Sequence, residues 1–512
     1  MKKLNHIFLL GILVTGACSK SRLELTNPNQ ITTQTFWKTE ADVLAGLAAT
    51  YNSFVTQAQT GLFSVRGVEV INGRGDDFFI RNDVRDLYTL STFTNAPDNG
   101  VVSGYWNTCY QGILAANQVI ANAPNVSMDA TRKAQDIAEA KFLRGVYYFC
   151  LVTNFGDVPL RLTVPESASA YYVAKSPADS VWSQIGQDFS EAAAALPASY
   201  PSNYTGRATQ GAAIGYLGKA YLYQKQYAQA EAAFKKIMSG QYSLVANFGD
   251  NFDVAHKNNA ESVFEIQVND VGGSGVWSTG AGASLGVSTA QEFAPAQVAG
   301  WFELYPTDKL LTEFMKEMTP AGNYDARLPA TLVWQGEDGT KGSNTTFYTS
   351  PIASFFPTEF GYKARIKKYQ NFNQTGEVTG ENGSAYVSSI NERVLRYADV
   401  LLMHAEAVAM QGRPQDAYPD VNAIRERAGL ADLAGGSSQT QMMTEIQHQR
   451  MIEFAREGLR FYDLERWGLT QQAMAGTDKQ GAQYYVPGKF DLFPVPQSEL
   501  DNNPLMKQSA GW

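Results

Sequence analysis

The chain has 512 residues, with 50 acidic side chains against 41 basic ones and a formal charge of −9. At 44% apolar and 18% charged, it can bury a large core in one to about three domains, which excludes intrinsic disorder. The acidic excess argues against a nucleic-acid binder, which needs a basic face to displace counterions from phosphates.

Lys2 and Lys3 precede an apolar run at residues 7–14. A run this short cannot span a bilayer, which needs roughly 20 helical residues. It reads as the hydrophobic part of a signal peptide covering residues 1–17. Thr15-Gly16-Ala17-Cys18 resembles a bacterial lipobox, which implies cleavage before Cys18 and lipidation of its thiol and new amine. The alternative is an ordinary small-residue cleavage site with an incidental cysteine. Residues 18–39, polar and rich in Asn and Thr, read as a tether.

From Glu40 the spacing of Val43, Leu47, Tyr51 and Phe54 predicts a helix with one apolar face. Further helices are predicted over 102–123, 131–154, 178–196, 209–224, 227–238, 392–411, 414–428 and 439–456. Loop and short-strand character gathers in two segments, 65–98 and 241–391. The expected organisation is an N-terminal helical region over 40–240 with the 65–98 insertion, an irregular insertion over 241–391, and a C-terminal helical pair with a closing tail over 392–512.

Leu217-Gly218-x-x-Tyr221 followed by Tyr227-x-x-Ala230-x-x-x-Phe234-x-x-Ile237 has the small and large positions of a tetratricopeptide helix pair. Gly218 and Ala230 allow close approach, while Tyr221, Tyr227 and Phe234 fill the seam. Ala405-x-x-Val408 with Ala417, Val421 and Ile424 suggests a second pair. Such units stack because none buries its apolar face alone. The predicted fold is therefore mainly α, a tetratricopeptide-like helical-pair scaffold carrying a large irregular insertion. Beyond Cys18 the only cysteines are Cys109 and Cys150, both in apolar helical contexts, and His256, His404 and His448 are the only imidazoles past the signal segment. This poverty argues against a Cys/His zinc site, and no metal or cofactor is expected. Spacing leaves open whether the two thiols are free or paired.

The stretch Val394-Leu395-Arg396-Tyr397-Ala398-Asp399 running to His404-Ala405-Glu406 resembles the SusD/RagB family of outer-membrane nutrient-uptake lipoproteins. So do Val421-Asn422-Ala423-Ile424-Arg425-Glu426-Arg427 and Glu457-Gly458-Leu459-Arg460-Phe461-Tyr462-Asp463. Upstream, Glu139-Ala140-Lys141-Phe142-Leu143-Arg144-Gly145, Phe155-Gly156-Asp157-Val158-Pro159 and Asp325-Ala326-Arg327 match as well. The charged motif residues Arg396, Asp399, Glu406, Arg456, Glu457, Arg460, Asp463, Glu465 and Arg466 read as structural ion pairs. Some are expected to pair along one helix face, at 456/460 and at 460/463/466.

The resemblance implies a non-catalytic, glycan-binding lipoprotein of the outer membrane, facing the exterior, that passes oligosaccharide to a TonB-dependent, SusC-like transporter. Family members hold glycan on loop-borne aromatics: the C–H face of a pyranose rests on a flat ring and its hydroxyls take directional hydrogen bonds. Trp277, in Gly272-Gly273-Ser274-Gly275-Val276-Trp277, is the leading platform, followed by Trp334. Asn72, Arg74, Asp77 and Tyr88 are candidate polar or stacking partners. Trp37, Trp106, Trp182, Trp467 and Trp512 read as core, and Trp301 is assigned to neither role. Two other readings compete: a tetratricopeptide adaptor that binds peptides, and a glycoside hydrolase using a carboxylate pair. For the hydrolase, adjacent Asp76 and Asp77 are the weak candidates.

Overall fold

The computed structural model describes residues 36–55, 61–63, 66–269, 286–335, 346–348, 350–356, 363–372 and 387–512. It is mainly helical. Helix α1 (Glu40–Asn52) buries Val43 and Leu47, with Phe54 buried just beyond its end. After α2 (Gly67–Asn72), strand β1 (Phe78–Ile80) and α3 (Arg85–Ser91) come the two longest helices, α4 (Gly100–Asn122) and α5 (Ala130–Phe155). Asn99 caps α4 by accepting hydrogen bonds from the Val101 and Val102 amides at 3.1 and 3.0 Å. Asp129 caps α5 through the Arg132 amide at 2.8 Å. These caps satisfy backbone donors that no helix can satisfy internally.

Helices α6 (Ala178–Ala195), α7 (Gln210–Tyr223) and α8 (Tyr227–Ile237) continue the array, each packing on the one before it. The predicted seam between α7 and α8 is present. A Cβ on Gly218 would lie 2.5 Å from the Phe234 ring, so only glycine permits this approach. Ala230 and Phe234 are fully buried, and Tyr221 and Tyr227 pack at the edge of the core. The second predicted pair also forms. Helices α12 (Tyr397–Met410) and α13 (Tyr418–Arg427) bury Ala405, Val408, Val421 and Ile424, with Ala417 of the turn between them, in one cluster with residues of α14 (Gln439–Glu453).

The irregular segments contribute short elements. They are β2 (Ser262–Ile266), α9 (Thr289–Phe293), β3 (Leu304–Pro306), α10 (Asp308–Phe314), α11 (Leu328–Thr331), β4 (Leu332–Trp334), β5 (Thr346–Phe347), β6 (Ser350–Pro351) and β7 (Ala364–Ile366). Every sheet among the described residues is a two-stranded antiparallel pair: β1 with β3, β4 with β7, β5 with β6, and β2 with β8 (Glu392–Arg396). The last pair corrects the helix expected over 392–411. Its first five residues are a strand, because β2 offers them a hydrogen-bonding edge and Leu395 is buried there, against Gly215 of α7. Cys109 and Cys150 are free thiols.

The helix expected to run on through Arg456 also ends early. Helix α14 stops at Glu453, Arg456 and Gly458 take positive φ of 70° and 73°, and α15 (Arg460–Trp467) begins two residues later. Arg456 and Arg460 therefore do not share a helix face. Their partners lie far away in sequence: Arg456 donates to Glu392, and Arg460 donates from Nε to Asp76 at 2.6 Å. Of the pairings expected along the helix, only Asp463 with Arg466 forms, and Asp463 also accepts from Arg450.

Two residues of the charged motif, Arg396 and Glu457, join one buried cluster. Glu453 binds Arg396, Arg427 and Arg327; Glu261 binds Arg396 and Arg427; Glu457 binds Arg396 and Lys368; and Arg327 also binds Asp325. All eight groups are nearly inaccessible, and four cations balance four carboxylates. Burial alone would push the Glu453 carboxyl up, but Arg427, Arg396 and Arg327 hold it well below the usual carboxylate range.

Removing one member leaves its partners charged, buried and unpaired. Glu453→Gln is expected to lower unfolding free energy by about 3–5 kcal/mol. Lys235→Ala removes the exposed partner of Glu231, which keeps Arg413 and Gln411, and should cost less than about 1 kcal/mol. Urea denaturation of the two variants checks this; equal midpoints would contradict the central role given to the cluster.

A candidate ligand-binding surface

Four of the predicted contact residues are interior. Asn72 donates to the Val68 carbonyl at 2.8 Å and accepts from the Gly458 amide at 2.9 Å. Arg74 lies between the Phe461 and Phe493 rings, 3.7 and 4.1 Å from their centroids, and donates to Asn154, Phe490 and Asp491. Asp77 is buried beside Asp76; burial first, then the Asp76 charge, pushes its carboxyl up to about 7. Trp334 is 3% exposed within β4, its ring edge-on to Tyr324 at 5.8 Å. None of these side chains can meet a surface ligand, so they are corrected to structural roles.

The physical reason is a clamp from the distant C-terminal tail. Lys479 reaches into the 73–78 turn and donates to the Gly73 and Phe78 carbonyls and to the Ser91 hydroxyl, at 2.5, 2.6 and 3.0 Å. Arg460 and Lys309 hold Asp76. Both carboxylates considered for a hydrolase are thus sealed from solvent. Tyr88 is half-buried on α3. Trp277 and Cys18 lie outside the described residues.

A different pair of rings is displayed nearby. The turn between α9 and β3 is cinched by the Trp301 amide donating to the Gln291 carbonyl at 2.8 Å and the Phe302 amide donating to the Ala294 carbonyl at 3.0 Å. Gln291 also donates to the Ala299 carbonyl. Ala299 and Phe302 take positive φ of 61° and 37°, conformations that non-glycine residues adopt only where surrounding contacts enforce them. The result leaves Trp301 and Phe302 half-buried. Arg81, at the end of β1, donates to the Trp301 carbonyl, lies 4.8 Å from the Phe302 centroid, and pairs with Asp83, whose side chain is 61% exposed. Phe79 and Tyr305 stack at 5.1 Å across the β1–β3 pair, with Phe302 edge-on to Tyr305 at 5.5 Å.

Flat apolar rings beside a guanidinium and an accessible carboxylate suit a ligand with an apolar face and a hydroxylated rim. The sequence signal was an adjacent Trp-Phe in a segment without helical or strand period.

Three carboxyls lie beneath this surface. Glu69 and Glu292 are fully buried, and Glu303 is nearly so. Burial, then the charge and hydrogen bond of Glu292, raise Glu69 well above the usual range. Burial and Glu292 push Glu303 up to about 8, against the pull of Arg66 and Arg81. The Glu303 backbone joins the two halves of the site: its carbonyl accepts from the Arg81 amide at 3.0 Å and its amide donates to the Glu292 carbonyl at 2.8 Å. Elsewhere among the described residues, Asp250, Asp253 and His256 form the one group whose ligand atoms gather within 4.8 Å. There His256 Nδ1 stands 2.8 Å from Asp253, as an ion pair.

Comparison with known proteins gives consistent matches along the chain. A profile described as "SusD family" matches residues 260–512, and one described as "Starch-binding associating with outer membrane" matches residues 23–222. A SusD superfamily protein from Bacteroides vulgatus superposes with a TM-score of 0.82 at 35% identity, over 93% of this chain and 100% of that one. A laminarin-binding SusD-like protein gives 0.78 at 28% identity, over 93% and 100%. Among curated proteins, SusD-like protein P2 of Formosa agariphila is 26% identical over 100% of both chains.

The raised carboxyls set a pH dependence. Between the ordinary value of 4.5 and about 8, the folded protein retains a proton on Glu303 that the unfolded chain has released. Stability therefore falls as pH rises through that window. Glu303→Gln removes this loss. Its urea midpoint is expected to stand above wild type at pH 8.5 and close to it at pH 5; parallel curves at both pH values would refute the assignment.

Proposed function

We propose that this chain, which belongs to the SusD family, is a glycan-binding lipoprotein of the outer membrane that captures oligosaccharide without cleaving it. Cys18 carries the anchor, the bound face looks outward, and a TonB-dependent, SusC-like barrel receives the sugar. The observation that carries the binding half is the enforced display of Trp301 and Phe302 beside Arg81 and Asp83. Support also comes from a relative at 28% identity that is described as laminarin-binding.

Trp277 keeps a place in this reading for a topological reason. Asn269 and Gly286, the described residues that flank the Gly/Ser-rich stretch bearing it, lie close together: a Cβ on Gly286 would stand 2.9 Å from the Asn269 carbonyl. Three residues after Gly286, the chain enters α9, whose Gln291 holds the Trp301 turn. Tyr88 remains an outer candidate on α3. The sealing of Asp76 and Asp77 removes the carboxylates on which the hydrolase reading depended. A weak site is sufficient for delivery, because tethering beside a transporter raises the effective ligand concentration.

Affinity electrophoresis in gels containing laminarin or starch tests the binding half. Trp301→Ala and Trp277→Ala are each expected to weaken retention about tenfold, or ~1.4 kcal/mol, while Trp334→Ala lowers stability rather than affinity. Retention unchanged in both of the first two variants would remove the site, and shortened polysaccharide would overturn the non-catalytic reading.

The anchor and the partner are tested separately. Cys18→Ala is expected to move the protein from the membrane fraction to the soluble fraction. Mild detergent extraction of wild type is expected to recover a TonB-dependent barrel with it, and recovery of the lipoprotein alone would count against delivery.

A further inference from the structure

A second concavity shares no lining residue with the Trp301 surface. It is a cleft of about 500 Å³, within the size range of small-ligand sites. It opens between the 247–254 loop, α11 and the 367–372 segment that follows β7. Its wall includes Phe372, which is 41% exposed at a φ of 54°. The Phe372 ring is backed by Tyr348 at 5.4 Å and Phe347 at 6.1 Å. A large ring held in a left-handed backbone conformation and turned toward solvent is costly, and it persists only where surrounding contacts impose it.

The polar lining is unevenly satisfied. The Tyr348 hydroxyl donates to Gln370 Oε1 at 3.1 Å, while Gln370 Nε2 is buried and has no hydrogen-bond partner among the described residues. A buried amide donor left unmade costs about 1–3 kcal/mol, so a ligand acceptor at that position is favoured. Across the cleft, Asp250 and Asp253 present part-exposed carboxylates, which can only accept. Asp253 is paired with His256, Lys367 donates to the Pro329 carbonyl at 2.8 Å, and the Lys368 ammonium is committed to Glu457.

These demands narrow the ligand. It must donate to two carboxylates, accept from one amide, and offer an apolar face to Phe372. A carboxylated or sulfated sugar would meet the charges of Asp250 and Asp253, and a simple cation would leave Gln370 Nε2 unmade. A neutral ring of hydroxyls satisfies all three, since each hydroxyl both donates and accepts.

We propose that this cleft is a second carbohydrate site, taking one neutral pyranose on Phe372 with its hydroxyls on Asp250, Asp253 and Gln370. The inference rests on the carbohydrate reading of the protein and extends it: a glycan held at two separate places gains avidity without a tight site at either.

The test is saturation-transfer NMR on the full-length protein in a non-sugar detergent, with methyl β-D-glucopyranoside as probe. Trp301→Ala is the background that disables the first surface. The probe's ring protons are expected to keep their signal in Trp301→Ala and to lose at least about fivefold when Phe372→Ala is added. Phe372→Tyr should restore the signal, which separates a lost platform from a lost fold. Signal abolished by Trp301→Ala alone, unaffected by Phe372→Ala, or absent from wild type would overturn the second site. Polysaccharide retention in the gel assay is read in parallel: if it persists while the cleft fails, the first site stands, and if both vanish the carbohydrate reading falls as a whole.

Discussion

Glu453 and the three guanidiniums around it are what the rest of the molecule depends on. A carboxylate removed from water is tolerable only when the opposing charges arrive with it, and here they come from separate parts of the chain. Arg396 precedes α12, Arg427 ends α13, and Arg327 lies in the irregular insertion. Glu261, just before β2, Lys368, after β7, Asp325 and Glu457 complete the cluster. None of these segments can take another position without stranding a buried charge. The cluster therefore acts as a registration device more than as a source of net stability, since hydrophobic packing of equal volume can be as stable.

That constraint explains how so much irregular backbone is held. Among their described residues the two irregular insertions have only two-stranded sheets and short helices, which would be marginal alone. Their order comes from contacts with the rest of the chain: Arg456 with the Tyr369 ring in one, and Arg460 with Asp76 and Lys479 in the 73–78 turn of the other. On such a base, residues can be kept in unfavourable conformations at the surface. Phe302 and Phe372, both at positive φ, are instances. The helices supply a rigid support, and the strained turns supply rings that are at least partly exposed.

The same arrangement sorts the charged residues by task. Those of the motifs at 396–406 and 456–466 point inward and pair with one another or with the insertion. The charges left to meet a ligand, Arg81 with Asp83 and Asp250 with Asp253, lie at loop edges where water can exchange with hydroxyls. Glu303 lies between these groups, nearly buried under the Trp301 surface and joined through its backbone to both Arg81 and Glu292.

The helical frame was legible because helix burial is periodic over a few residues. Val43 and Leu47, the Gly218–Phe234 seam, and the grouping of Ala405 with Val421 and Ile424 could all be read from spacing. The structural character of the charged motifs was legible too, though not their partners: Arg460 meets Asp76 across 384 positions. Asn72, Arg74 and Asp77 misled because a Gly- and Asp-rich turn has the same composition whether it faces water or is clamped by a distant lysine. Trp334 misled because its Gly-rich neighbours hide the strand partner Ala364. Trp301 and Phe302 were passed over because their exposure depends on Gln291, Ala294 and Arg81 together. By itself, then, the sequence determined the helical scaffold, its pairing and the family. Which aromatic rings reach solvent was decided in three dimensions, because burial within a helix follows local period while the facing of a loop such as Trp301-Phe302 depends on near and distant partners together, Gln291 and Ala294 with Arg81 220 positions away.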